Sequence, residues 1–272
     1  MSRLVTRFAT LREQGRTALI PYITAGDPQP LVTVPLMHAL VAAGADVLEL
    51  GVPFSDPMAD GPVIQAACER ALEHHVSLRQ ILDMVSTFRQ QDEQTPVVLM
   101  GYLNPVEVMG YEVFSRAAHE AGVDGVLTVD LPPEEAQDLL VSLKAEGLDP
   151  IFLAAPTSDD ERIRLMSRAG GGFLYYVSFK GVTGANRLDV QSVKDKLTQI
   201  RANTELPVGV GFGISDAESA ARIAEFADAV VVGSALVKRI AALLDSPEQI
   251  PVQAPQLIAE MRAAMDRVVA TS

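Results

Sequence analysis

Eight short, almost continuously apolar runs recur along this chain, and helical periodicity fills the intervals between them. The runs are Ala18–Thr24, Asp46–Val52, Pro96–Tyr102, Gly125–Asp130, Pro150–Ala155, Gly172–Ser178, Pro207–Gly213 and Ala229–Ser234. Strands apolar on both faces belong to a parallel sheet covered on both sides. The intervening segments include Leu31–Ala43, Val106–Ala121, Pro133–Glu146, Asp159–Arg168 and Asp216–Glu225. Start signals precede several of them (Ser158 with Asp159, Ser215 with Asp216), and glycines such as Gly44, Gly122 and Gly147 follow others. Pro62 to Phe88 reads as a longer helical region broken near His74 and His75, and a Pro-rich link at Asp245–Pro255 precedes a last helix at Gln256–Val269. Eight β-then-α units with right-handed crossovers predict an α/β chain closed as a (β/α)8 TIM barrel, with an extra N-terminal helix and additional helical segments. A doubly wound open sheet is the competing arrangement.

Length agrees, since 272 residues suit one barrel of about 250, and the whole chain reads as one domain, 1–272. With 35 acids against 22 bases the net charge is −13, which argues against a nucleic-acid partner. The single cysteine, Cys68, excludes an internal disulfide and reads as a small packed hydrophobe. Met1 to Phe8 reads as a short amphipathic helix rather than a signal peptide, and no run of about 18 apolar residues suggests a membrane span. The expected setting is the cytoplasm.

In such a barrel, chemistry belongs at the carboxyl ends of the strands. The second run carries one acid, Glu49, among apolar residues and leads into a proline-braced loop with Asp56 and Asp60. Val47, Glu49 and Gly51 share one strand face and Leu48 and Leu50 the other, so Glu49 is expected to point into the barrel mouth. Burial there raises a carboxyl pKa toward neutrality, as proton transfer at pH 7 requires. The alternative is a carboxyl hydrogen-bonded to a neighbouring hydroxyl. Asp60 reads either as a second catalytic acid or as the cap of the helix opening at Pro62. Asp27, Asp56 and Asp130 read first as turn or cap residues.

Late in the chain, Gly211, Gly213, Gly233 and Ser234 stand at the ends of consecutive strands, with a helix start after the last. Glycine loops and a helix N-terminus suit a phosphate monoester. Tyr22, Tyr102, Tyr175, Tyr176 and Phe212 lie near strand tops and offer walls for a flat ring, or plain core packing. Lys180, just past the sixth run, raises the alternative of a Schiff-base aldolase, against the reading of a solvated loop lysine. Glu49, Asp56 and Asp60 alone offer a poor metal set, because His38, His74, His75 and His119 fall on helices or their ends.

The stretch Leu48 to Gln65, with Ile20 to Pro28, Gly181 to Ala185 and Gly211 to Ser215, resembles the signatures of the tryptophan synthase α subunit family, in order and over essentially the whole chain. The resemblance implies reversible retro-aldol cleavage of indole-3-glycerol phosphate to indole and glyceraldehyde 3-phosphate. It implies Glu49 as general acid and base, Asp60 on the indole N–H, and Tyr175 with them as the catalytic set. Tyr22, Tyr102, Leu127, Thr183 and Phe212 would meet substrate, and Gly184, Gly211, Gly213, Gly233 and Ser234 would hold its phosphate. It implies no metal and no cofactor in this chain. It also implies a β subunit carrying pyridoxal phosphate in an α2β2 assembly, and leaves room for a chain that only activates its β partner. Tyr22, Gly101 and the Phe179-Lys180 pair depart from the common pattern.

Overall fold

The computed structural model describes residues 2–178, 190–211 and 213–269. Its nine parallel strands are β1 (Ala18–Thr24), β2 (Leu48–Gly51), β3 (Val97–Gly101), β4 (Gly125–Thr128), β5 (Asp149–Ile151), β6 (Leu153–Ala154), β7 (Leu174–Val177), β8 (Val208–Gly211) and β9 (Ala229–Val232). They pair in the order β5-β4-β3-β2-β1-β9-β8-β7-β6. The two ends of that order are one extended segment: only Phe152 separates β5 from β6, and its carbonyl accepts from Tyr175 N at 3.0 Å. The strands therefore come back on themselves as a TIM barrel, and the open doubly wound sheet is ruled out.

Alternation along each strand divides the apolar residues between two cores. Leu19, Ile23, Leu48, Leu50, Leu99, Val126 and Tyr176 face outward and pack against the surrounding helices. Ile20, Val47, Val98, Leu127, Ile151, Tyr175 and Val231 face inward. The helix Arg3–Glu13 plugs the amino-terminal end, inserting Leu4, Phe8 and Leu11 into the inner core at helical spacing. Burying such a side chain is worth about 1.5–3 kcal/mol. Ser2 to Asp149 (2.5 Å) and Arg3 to Asp124 (3.0 Å) fasten the same helix to the barrel floor.

Several boundaries differ from the sequence reading. Val106–Ala121 is two helices, Leu103–Met109 and Tyr111–Ala121, because Gly110 adopts φ 87° between them. The helix expected from Pro133 begins at Gln137. Pro62 to Phe88 does break as expected, into Pro62–Glu73 and Leu78–Arg89, with His75 at φ 55° between them. The link before the last helix is itself helical over Ile250–Gln253. Asp159 and Asp216 cap the helices they precede, each accepting from a backbone N–H in the first turn.

Candidate active site

A cleft opens among the carboxyl ends of the strands. Tyr22, Glu49, Asp60, Ile64, Met100, Tyr175, Gly213, Ile214, Val231, Gly233 and Ser234 line it. Glu49 stands in register between Tyr22 of β1 and Val98 of β3. It faces the interior because Leu48 and Leu50 claim the outer side of β2. Only 1 % of Glu49 is exposed, and its buried Oε1 accepts no hydrogen bond among the described residues. The expected alternative, a carboxyl satisfied by a neighbouring hydroxyl, is therefore not found at that oxygen. Burial, and then the nearby charge of Asp60, push its pKa from 4.5 up to about 8. That rise favours the protonated form of Glu49 toward neutral pH.

Asp60 does not cap the helix that follows. The N-cap is Gly61, with no side-chain cap, and Pro62 opens the helix Pro62–Glu73. The Asp60 carboxylate instead accepts from Tyr102 Oη at 2.9 Å, and the same hydroxyl accepts from Ala59 N at 3.0 Å. Phe54 stacks on the Tyr102 ring at 5.2 Å. Burial raises the Asp60 pKa, and the Tyr102 hydrogen bond opposes that rise. Both the Tyr102 contact and the Gln65 side chain, which reaches the Asp60 carbonyl, escaped the sequence reading. A residue five positions on, in the next helix's first turn, was the available signal for Gln65.

Two tyrosines define the cleft walls through glycines. A Cβ at Gly51 would fall 2.1 Å from Tyr22 Oη, and one at Gly211 would fall 2.2 Å from Tyr175 Oη. Each glycine is thus required by a tyrosine lying across the neighbouring strand. Tyr22 Oη also shares a hydrogen bond with Thr24 Oγ1 at 3.2 Å. Gly211 lies within β8, its carbonyl accepts from Ser178 N and Oγ, and it is not among the cleft-lining residues. Gly233 is different: a Cβ there would come no closer than 3.8 Å, to Tyr22. Among the described residues no neighbour demands glycine at that point, which leaves bare backbone on the cleft wall. The helix Ser234–Ala241 begins there with Gly233 as its N-cap and no side-chain cap, so the cap leaves its first N–H groups without a side-chain acceptor.

The structure brings Tyr22, Glu49, Asp60, Tyr175, Gly213, Gly233 and Ser234 into one cleft. Tyr102 joins them through Asp60 but lines a neighbouring apolar recess together with Leu127. Leu127 is 1 % exposed and packs in the inner core. Thr183, Gly184 and Phe212, with Lys180 of the alternative reading, lie outside the described residues. Asp27 is neither cap nor simple turn residue. It is buried and doubly bonded to Arg70 at 2.6 and 3.0 Å, tying the loop after β1 to the helix Pro62–Glu73. Asp130 accepts from Leu103 N, and Asp56 stays exposed in its turn. Cys68 is buried against Tyr22, Ile64 and Val237, and burial pushes its thiol up to about 11.

Fold and site define a class: a (β/α)8-barrel enzyme whose working cleft lies at the carboxyl ends of the strands. The family model for the tryptophan synthase alpha chain matches residues 8–266. The chain belongs to the tryptophan synthase alpha chain family, whose activity is that of a carbon–carbon lyase. It is 68 % identical over 266 residues to the tryptophan synthase alpha chain of Thioalkalivibrio sulfidiphilus, covering 98 % of this chain and all of that one. The alpha chain of Nitrosococcus oceani is 63 % identical, with 98 % of each chain covered. Among solved structures, the alpha subunit from Legionella pneumophila superposes with a TM-score of 0.92 at 46 % identity, covering 98 % of this chain and 99 % of that one. A tryptophan synthase chain from M. tuberculosis, in an aminoacrylate-bound form, superposes with a TM-score of 0.85 at 37 % identity, covering 97 % and 100 %. No helix among the described residues is long and apolar enough to cross a membrane.

Proposed function

We propose that this chain cleaves indole-3-glycerol phosphate to indole and glyceraldehyde 3-phosphate, with Glu49 and Asp60 as its working acids. The observation that carries the reading is Glu49: a buried carboxyl whose Oε1 has no hydrogen-bond partner among the described residues and whose pKa burial raises, at the cleft that Asp60 also lines. Glu49 gives its proton to indole C3, and positive charge appears on the ring nitrogen. The Asp60 carboxylate accepts the N–H and stabilises that charge. The Glu49 carboxylate then takes the proton of the glycerol hydroxyl beside the scissile bond. The C3–carbon bond breaks, its electron pair returns to the ring, and the hydroxyl carbon becomes the aldehyde. Glu49 ends protonated, ready for the next cycle. A pKa near the working pH suits both halves of this shuttle.

Tyr22 and Tyr175, braced by Gly51 and Gly211, supply walls for the indole ring and place Tyr175 beside Glu49. The phosphate sits against Gly213, Gly233 and Ser234, where the helix N-terminus adds its dipole. Gly184 and Thr183 are assigned to the phosphate and the substrate by resemblance. The chain acts as one unit within a cytoplasmic α2β2 assembly, and pyridoxal phosphate belongs to the β partner.

The test is product identification. With indole-3-glycerol phosphate and a β subunit lacking serine, the chain should release indole and glyceraldehyde 3-phosphate in equal amounts. Borohydride added during turnover should leave it active. Trapping of substrate on Lys180 would instead establish the Schiff-base reading, and stimulation of the β subunit without cleavage would make the chain an activator only.

A further inference from the structure

We propose that Gln65 is a positioning residue for the cleavage reaction, its side-chain amide fixing the backbone that presents Asp60 to the indole nitrogen. The proposal rests on the reading of Asp60 given above. Asp60 stands at the end of a tight turn in which its own N–H donates to Pro57 O at 3.0 Å. Gln65 Nε2 donates to Asp60 O at 2.9 Å and to Pro57 O at 3.3 Å, so both ends of that turn are held by one amide group. The two hydrogens of a carboxamide suit two carbonyl acceptors. A glutamate would set a second acceptor against them, and a methionine would offer no donor.

Packing does little of this work. Met58, inside the turn, is 85 % exposed, and Ser55, Asp56, Ala59 and Gly61 are exposed too. Among the described residues, the side-chain hydrogen bonds that reach Pro57 to Asp60 come from Tyr102, on whose ring Phe54 stacks, and from Gln65. Gln65 is itself anchored, because it sits in the first turn of the helix Pro62–Glu73, its N–H bonded to Gly61 O at 3.0 Å. On its far side that helix is fixed by Arg70 on Asp27 and His74 on Pro28 O. Gln65 thus transmits the position of the helix Pro62–Glu73 to a turn that is exposed at Met58, Ala59 and Gly61 and half-buried at Pro57 and Asp60. Tyr102 then sets the carboxylate, engaging Oδ2. Small displacements of a group that meets a transition state are costly, which is why such a tether matters.

The experiment is a mutant cycle on indole release by the complex with the β subunit, using Gln65→Met, Asp60→Asn and the double variant. Gln65→Met should lower kcat by ~10-fold or more, since misplacement by about 1 Å is worth up to 10²-fold. In the Asp60→Asn background the same change should cost less than about twofold, because the group it positions is already gone. Glycerol 3-phosphate should bind Gln65→Met as it binds the parent, and Gln65→Glu should lose at least as much kcat as Gln65→Met. An equal loss in both backgrounds, unchanged kcat in Gln65→Met, or loss of glycerol 3-phosphate binding would each overturn the proposal. Parental turnover by Asp60→Asn would instead overturn the role of Asp60, a separately readable failure.

Discussion

Replacing Glu49 by glutamine should stabilise the fold, and by an amount that grows with pH. The substitution keeps the shape of the side chain and removes its titration. In the folded chain the carboxyl is pushed from 4.5 up to about 8, by burial first and by the Asp60 charge second. The unfolded chain ionises the same group near 4.5. Stability from this group is therefore intact below pH 4.5 and is lost as pH rises through about 8. Each pH unit in that window costs about 1.4 kcal/mol. The deficit relative to Glu49→Gln should be near zero at pH 4.5, about 3 kcal/mol at pH 7 and roughly 5 kcal/mol above pH 8. Urea unfolding of the two proteins at several pH values between about 5 and about 8.5 measures it, with matched m values as the check on a shared unfolded state. A difference that stays constant across the window would refute the reasoning, since it would mean that Glu49 is ionised in the folded chain at neutral pH.

Three further outcomes follow from the geometry. Gly211→Ala, whose Cβ would fall 2.2 Å from Tyr175 Oη, should lower urea stability by about 1–3 kcal/mol and reduce indole release; a variant with parental stability and rate would contradict the glycine–tyrosine fit. Arg70→Leu strands Asp27, whose side chain is fully buried, and should cost about 3–5 kcal/mol at neutral pH. Burial already raises the Asp27 pKa, so that cost should shrink as pH falls, and adding Asp27→Asn should recover much of it; no recovery would remove the ion pair as the cause. Tyr102→Phe should lower kcat while leaving glycerol 3-phosphate binding unchanged, because it frees the Asp60 carboxylate and leaves Ala59 N–H without its acceptor; an unaltered kcat would separate Tyr102 from the chemistry.

How much of this was legible in the amino-acid order depends on the range of the physics involved. The strand period is local, so the alternation at β2, with Val47 just before it and Glu49 facing inward and Leu48 and Leu50 facing outward, could be read directly. Helix caps such as Asp159 and Asp216 are local as well. The glycine at 110 was visible, but whether a glycine merely weakens a helix or ends it depends on the φ it adopts, which the tertiary packing decides. Gly211 stood out as a glycine, yet the reason for it is the Tyr175 hydroxyl of the adjacent strand, a contact set by register. Asp27 and Arg70 are 43 residues apart, and nothing in either neighbourhood announces their pairing. Tyr102 was legible as a residue at the strand's end, but not as the partner of Asp60, because a hydrogen bond across two loops exists only once both are placed.

One comparison tests the role of Glu49 most directly: the turnover of indole-3-glycerol phosphate by Glu49→Gln and by the parent, each with a saturating β subunit. Loss of a shuttling acid and base should lower kcat by about 10³-fold or more, while glycerol 3-phosphate binds both proteins alike. A variant that retains turnover within about tenfold of the parent would contradict the assignment of the proton transfers to Glu49.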